Sequence, residues 1–196
     1  MRHRGFTLAE LIVAGFILGL LLFAVFAIYR MGASTMMKAD AQTELLQQLQ
    51  TITTKLSREA ERSVYEGVSV TPDGRAVALL DATYSDGSFA VDSSGRLVWQ
   101  RYVIYYWEPA ASSLSRTTLP YLPPDPRVAD TLESYTGNPL SDYTNGGQEV
   151  GRNVSACTFA IEGGAFLRLG LEAQKKRYGR EDPERLSLGT TVLLRN

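Results

Sequence analysis

Residues 1–30 read MRHRGFTLAELIVAGFILGLLLFAVFAIYR. From Leu11 to Ile28 there are 18 residues without one polar side chain, with Phe6 to Ala9 before them, Tyr29 after them and Glu10 at the border. A bilayer core is spanned by about 20 apolar residues as a helix. A cleaved secretory signal would have an apolar region of about 7–15 residues, ending at a small-residue site. This run is longer, and the following FAIYRMGASTMM holds no such site. A plain signal anchor accounts for the length, and Arg2 and Arg4 ahead of the span fit the positive-inside rule. It does not account for Glu10, because a carboxylate in a span is costly and calls for a partner.

Working outward, the span holds Gly15 and Gly19, a GxxxG spacing that lets two membrane helices approach closely. The first proline is Pro72, and Gly32 is the expected flexible point, since glycine is the weakest helix former short of proline. After Gly32 the pattern becomes amphipathic. Leu45, Leu49, Ile52, Leu56 and Ala60 recur at the spacing of one helix face, with Gln, Glu, Lys and Arg between them. One helix from about Phe6 to about Ser63 is predicted. It is apolar all round in its first half and carries one apolar stripe in its second, the stripe packing on a domain.

Beyond Val64 the chain reads as strands. RAVALLDATY, SFAVD, RLVWQRYVIYYWE and SLSRTTL are separated by PDG, SDG, DSSG and EPAAS, all turn-forming. Tyr102, Ile104 and Tyr106 alternate with Val103, Tyr105 and Trp107, so both faces of that strand are apolar. Either it is covered on both sides, or one face packs on the helix and the other on a neighbouring subunit. A proline-rich segment, 120–150, is expected as a long surface loop with a local excess of acidic residues. Calcium could bind such oxygens, but their spacing matches no EF-hand, so a plain surface excursion rather than a metal site is expected there. Strands return in NVSACTFAIE, AFLRLGLEA and RLSLGTTVLL. Leu167, Leu169 and Leu171 define one buried face; Leu186, Leu188, Thr190, Val192 and Leu194 define another. Between the last two strands, Lys175, Lys176, Arg177 and Arg180 surround Tyr178 and could grip phosphates, with the ring stacking on a base. Glu181, Asp182 and Glu184 largely neutralise that turn, so nucleic acid is not the expected partner.

Composition narrows the chemistry. The chain has 196 residues and a net charge of −1, with no general basic field for nucleic acid. Cys157 is the only cysteine, so no intramolecular disulfide forms, and it reads as a small buried hydrophobe. His3 is the only histidine. Serine–histidine and cysteine–histidine catalysis and histidine-containing zinc sites are therefore not expected in the folded domain, and neither an enzymatic activity nor a cofactor is indicated.

The stretch RGFTLAEL resembles the prepilin signature of type IV filament proteins: a short basic leader, a glycine, a phenylalanine, then glutamate four residues on. The resemblance implies a leader of residues 1–5. A prepilin peptidase would cut between Gly5 and Phe6 and methylate the new amine. It implies a membrane segment over 6–30, an amphipathic continuation over 31–63 and a β-rich globular domain over 64–196. The expected fold is α+β, a long N-terminal helix packed on an antiparallel sheet. Many major pilins carry a proline in the second half of this helix; none occurs here. The strand pair around RYVIYYWEPAASSLSRT and the ending VLLRN are similar to the J-type minor pseudopilins of type II secretion and to W-type minor pilins. Expected partners are other pilin or pseudopilin subunits and the bacterial inner membrane, with the N-terminus cytoplasmic and the domain outside. A pilus-tip binding module, adhesin or DNA-uptake subunit, is the alternative.

Overall fold

The computed structural model describes residues 7–84, 86–125, 129–176 and 182–195. Helix α1 spans Leu8–Ala60, 53 residues, and runs through Gly32 without interruption. The expected flexible point thus lies inside regular helix: no proline interrupts this stretch, and a single glycine within a long helix costs only about 1 kcal/mol. The chain groups into two compact units that divide between Ala41 and Gln42.

The first unit contains the apolar part of α1. Its large side chains from Leu11 to Ile28 are between 52% and 72% exposed. This helix is long and apolar enough to cross a membrane, and none of its most apolar window is buried.

The second unit is built from the rest of α1 and eight strands. These are β1 (Val68–Val70), β2 (Ala76–Asp81), β3 (Trp99–Glu108), β4 (Ser113–Asp125), β5 (Gln148–Gly151), β6 (Val154–Glu162), β7 (Phe166–Lys175) and β8 (Glu184–Leu193). They form two antiparallel sheets, ordered β1-β2-β3-β4-β5 and β6-β7-β8. The predicted stripe of α1 packs on both: Leu45, Leu49, Ile52, Leu56 and Ala60 share one core with Val77, Leu79, Val103 and Tyr105 of the first sheet and Phe159, Leu167, Leu169 and Leu171 of the second. The fold is the expected α+β, pilin-like architecture. Strand β7 alternates as read, with Leu167, Leu169 and Leu171 buried and Phe166, Arg168 and Glu172 exposed. On β8 the alternate positions from Leu186 to Val192 face inward.

Polar contacts fix the helix on the sheets. The Tyr105 hydroxyl donates to Glu59 Oε2 at 2.7 Å, and Arg116 donates to the same carboxylate from Nε at 3.2 Å and from Nη2 at 2.9 Å. A half-buried carboxylate with three charge-assisted or hydroxyl donors is satisfied rather than strained. At Gly151 the helix comes very close: a Cβ there would run into Cδ1 of Ile52. The position therefore holds no side chain.

The outer face of the first sheet follows the first of the two readings, a strand covered on both sides. Tyr102, Ile104 and Tyr106 are at most 2% exposed, so this face is covered within the chain and does not await a neighbouring subunit. The cover comes from the segment expected as a loop. That segment carries the end of β4, a short helix α2 (Leu132–Thr136), a 3₁₀ turn (Leu140–Tyr143) and β5. Leu132 and Leu140 are buried in a core with Ala78, Leu80, Tyr102 and Ile104, and Tyr135 and Tyr143 pack against it. The Tyr102 hydroxyl donates to the Asp130 carbonyl at 2.7 Å, and the Tyr121 and Tyr135 rings stack with centroids 4.4 Å apart.

SFAVD is not a strand. Only isolated bridges occur there, Thr83 to Phe89 and Val91 to Leu97. The reason is local. Asp86 and Asp92 each accept from the amide two residues on, at 2.9 and 2.8 Å, closing a turn on either side. Too few residues remain between the turns to build a ladder.

Candidate functional site

Helix α1 starts on a capping box. The Glu10 carboxylate, through Oε2, accepts from the Thr7 amide at 2.8 Å and from the Thr7 hydroxyl at 2.9 Å, while Thr7 Oγ1 accepts from the Glu10 amide at 3.3 Å. Two amides that the first helical turn leaves unpaired are thereby satisfied. The carboxylate that calls for a partner thus finds one within its own chain, in Thr7. The signal, T-x-x-E immediately before an apolar run, was present in the sequence. Among the described residues, Glu10 Oε1 accepts no hydrogen bond, so one oxygen remains open to a donor from elsewhere.

Gly15 and Gly19 lie four apart on one face of α1, and beyond the neighbouring backbone of the helix itself no heavy atom lies within 4 Å of where a Cβ would stand at either. Gly5 and Phe6 lie outside the described residues. So do Arg177 and Arg180 of the basic turn. Of the described pair, Lys175 forms an ion pair with Glu44 of α1, and beside it Gln42 donates to Glu184 at 3.2 Å. Lys175 therefore ties the end of β7 to the helix, and Lys176 alone of the described pair is exposed without such a tie.

The buried carboxylate of Asp81 is paired within the second unit. Asp81, 5% exposed, accepts from Arg101 Nε at 3.0 Å and from the Thr83 hydroxyl at 2.7 Å. Among the described residues no group of three or more His, Cys, Asp or Glu is placed to hold a metal ion.

Cys157 is buried, as read, in the core beneath α1. Burial pushes its thiol well above the ordinary value of 9.0, because a thiolate there would lose its hydration. Burial likewise raises the phenols of Tyr102 and Tyr105, with neighbouring phenol and carboxylate groups adding to it. The sign follows from linkage. The folded chain holds these protons after the unfolded chain has released them, so stability is complete below about pH 9 and falls as pH rises above it. One such group contributes a slope of at most about 1.4 kcal/mol per pH unit. The melting temperature is expected to fall more steeply between about pH 9 and 10 in the native chain than in Cys157→Ala. Parallel curves would show that the thiol carries none of the alkaline loss.

No protein-family model matches the chain, no curated protein matches it and no solved structure matches it. The pilin-like description therefore rests on the architecture itself: a long N-terminal helix, exposed and apolar at first, then packed on antiparallel sheets.

Proposed function

We propose that the chain is a structural minor subunit, a minor pilin or pseudopilin, of a type IV filament or of a type II secretion pseudopilus. It enters the bacterial inner membrane as a single span, N-terminus cytoplasmic and β-rich unit outside. A prepilin peptidase cuts between Gly5 and Phe6 and methylates the new amine. The subunit then joins the filament through its N-terminal helix. The supporting observation is the change of character within α1, from an apolar stretch with no side chain buried to a stripe buried at 2% or less. A helix of that kind has one half suited to lipid and to neighbouring helices and one half fixed to its own domain.

The chemistry of assembly follows. Cleavage creates an α-amino group with a reference pKa of about 8, mainly cationic at neutral pH. In a bundle of such helices this ammonium meets the Glu10 carboxylate of a neighbour, and each neutralises a charge that is costly alone in low dielectric. A polar pair inside an apolar bundle also fixes register. Gly15 and Gly19 provide the small face along which helices approach.

Processing is tested by the intact mass of the protein isolated from membranes. The expected chain begins at Phe6, lacks both leader arginines and the only histidine, and carries one added methyl. A chain beginning at Met1, or beyond Tyr29, overturns the proposal.

A further inference from the structure

At the end of the first sheet, where the β1–β2 and β3–β4 turns lie, a cleft of about 760 Å³ opens. That is within the range of about 300–1,000 Å³ typical of small-ligand pockets. Its walls come from three places in the chain: Val70–Ala76, Tyr106–Pro109, and the covering segment from Glu133 to Thr144. Pro72, Trp107, Pro109 and Leu140 give it an apolar lining. The Trp107 ring is held in place, its Nε1–H donating to the Val154 carbonyl at 2.9 Å.

Its charge is one-sided. Asp73, Glu108 and Glu133 line it against a single cation, Arg75. Arg75 is occupied already: it lies 3.4 Å from Asp73, and its guanidinium carbon sits 5.7 Å from the centre of the Trp107 ring. Glu108 and Glu133 are both half-buried, and among the described residues neither has a cation within ion-pairing distance. An apolar occupant without charge would take water from these carboxylates and return nothing. A phosphate-bearing occupant would be repelled. An occupant with a cation next to apolar groups satisfies both features, and the Trp107 ring already shows the geometry in which this cleft holds a guanidinium.

We propose that this cleft binds an extended peptide segment of a partner protein, one that carries lysine or arginine between aliphatic residues. The apolar side chains lie along Trp107, Pro109 and Leu140, and the cation reaches Glu108 and Glu133. Complementary charge of this kind sets specificity and encounter rate more than bulk affinity.

The test uses the full-length chain in lipid nanodiscs, with the Trp107 indole N–H followed by nuclear magnetic resonance. The probe is the capped hexapeptide Ala-Val-Lys-Leu-Arg-Val. Titration is expected to shift the Trp107 resonance saturably. Binding is expected to weaken by about tenfold or more in the double variant Glu108→Gln, Glu133→Gln, and by as much when glutamate replaces both basic residues of the probe. Near-native melting of the variant keeps the comparison valid, and the charge-reversed probe reads the same effect on the unaltered protein. No saturable shift at millimolar probe, or equal binding of both probes, overturns the proposal. Equal binding of arginine amide alone also overturns it, because the site would then take small cations rather than a peptide.

Discussion

Glu10→Leu and Glu10→Gln are each expected to fall from sheared filaments by on the order of a hundredfold or more, with their level in the membrane unchanged. The two substitutions separate the two tasks of this side chain. Leucine removes both the charge and the cap. Glutamine removes the charge but is itself accepted at the third position of a capping box, so the contact to Thr7 is kept. Equal loss for the two variants assigns the effect to the missing anion, which leaves the neighbour's ammonium unpaired in the bundle. Thr7→Val makes the converse change. It removes the hydroxyl, which donates to Glu10 at 2.9 Å and accepts its amide at 3.3 Å, and leaves the carboxylate in place. A lost cap is typically worth a factor of about ten or less, so Thr7→Val is expected to lose far less of the subunit from filaments than either Glu10 variant. The measurement is the fraction of each variant co-purifying with filaments, beside its amount in the membrane. Native incorporation of Glu10→Gln would reduce Glu10 to a helix cap and remove the pairing mechanism.

These outcomes turn on a detail that a reading of hydropathy passes over. In the sequence Glu10 stands out as a charge against an apolar background, which draws attention to a partner outside the chain. The T-x-x-E spacing that gives it a partner inside the chain is equally visible, but it is a signal about helix termini rather than about membranes. The two do not conflict. The cap uses Oε2 and leaves Oε1 open, so one carboxylate can end its own helix and meet a second donor.

Long-period features were legible for a physical reason. The apolar run and the stripe from Leu45 to Ala60 repeat over many turns, and β7 alternates over ten residues, so pattern outweighs noise. The cover over the outer sheet face was not legible. Leu132, Tyr135, Leu140 and Tyr143 are spread through a stretch of prolines and acids, and helix α2 is only five residues long. No period can establish itself over so short an element; what buries these residues is the apolar outer face of β3, far away in sequence. The reading of Tyr102, Ile104 and Tyr106 as a second apolar face was sound, but it gave no sign of which part of the chain would cover it. The strand expected at SFAVD shows the opposite failure, an alternation too short to outlast the turns on either side.

The division of α1 into two halves leads to the other large expected effect. Leu49→Ala removes three heavy atoms from a side chain that is fully buried between the helix and both sheets. Such a deletion costs the transfer energy of the lost atoms plus that of the cavity, about 2–5 kcal/mol. For a unit of this size, 1 kcal/mol shifts melting by about 2–4 °C, so a fall of at least about 4 °C is expected. The same deletion at Leu21, 59% exposed, touches no core and is expected to change stability by less than about 0.5 kcal/mol, a shift in melting of at most about 2 °C. Near-ultraviolet circular dichroism of the full-length protein in detergent reads the right event, because both tryptophans, Trp99 and Trp107, belong to β3 in the second unit. If Leu21→Ala lowered this melting as far as Leu49→Ala, the apolar half of the helix would be a core element of the folded unit. It would then not be free for lipid and neighbouring subunits, and assembly through it would require the domain to open first.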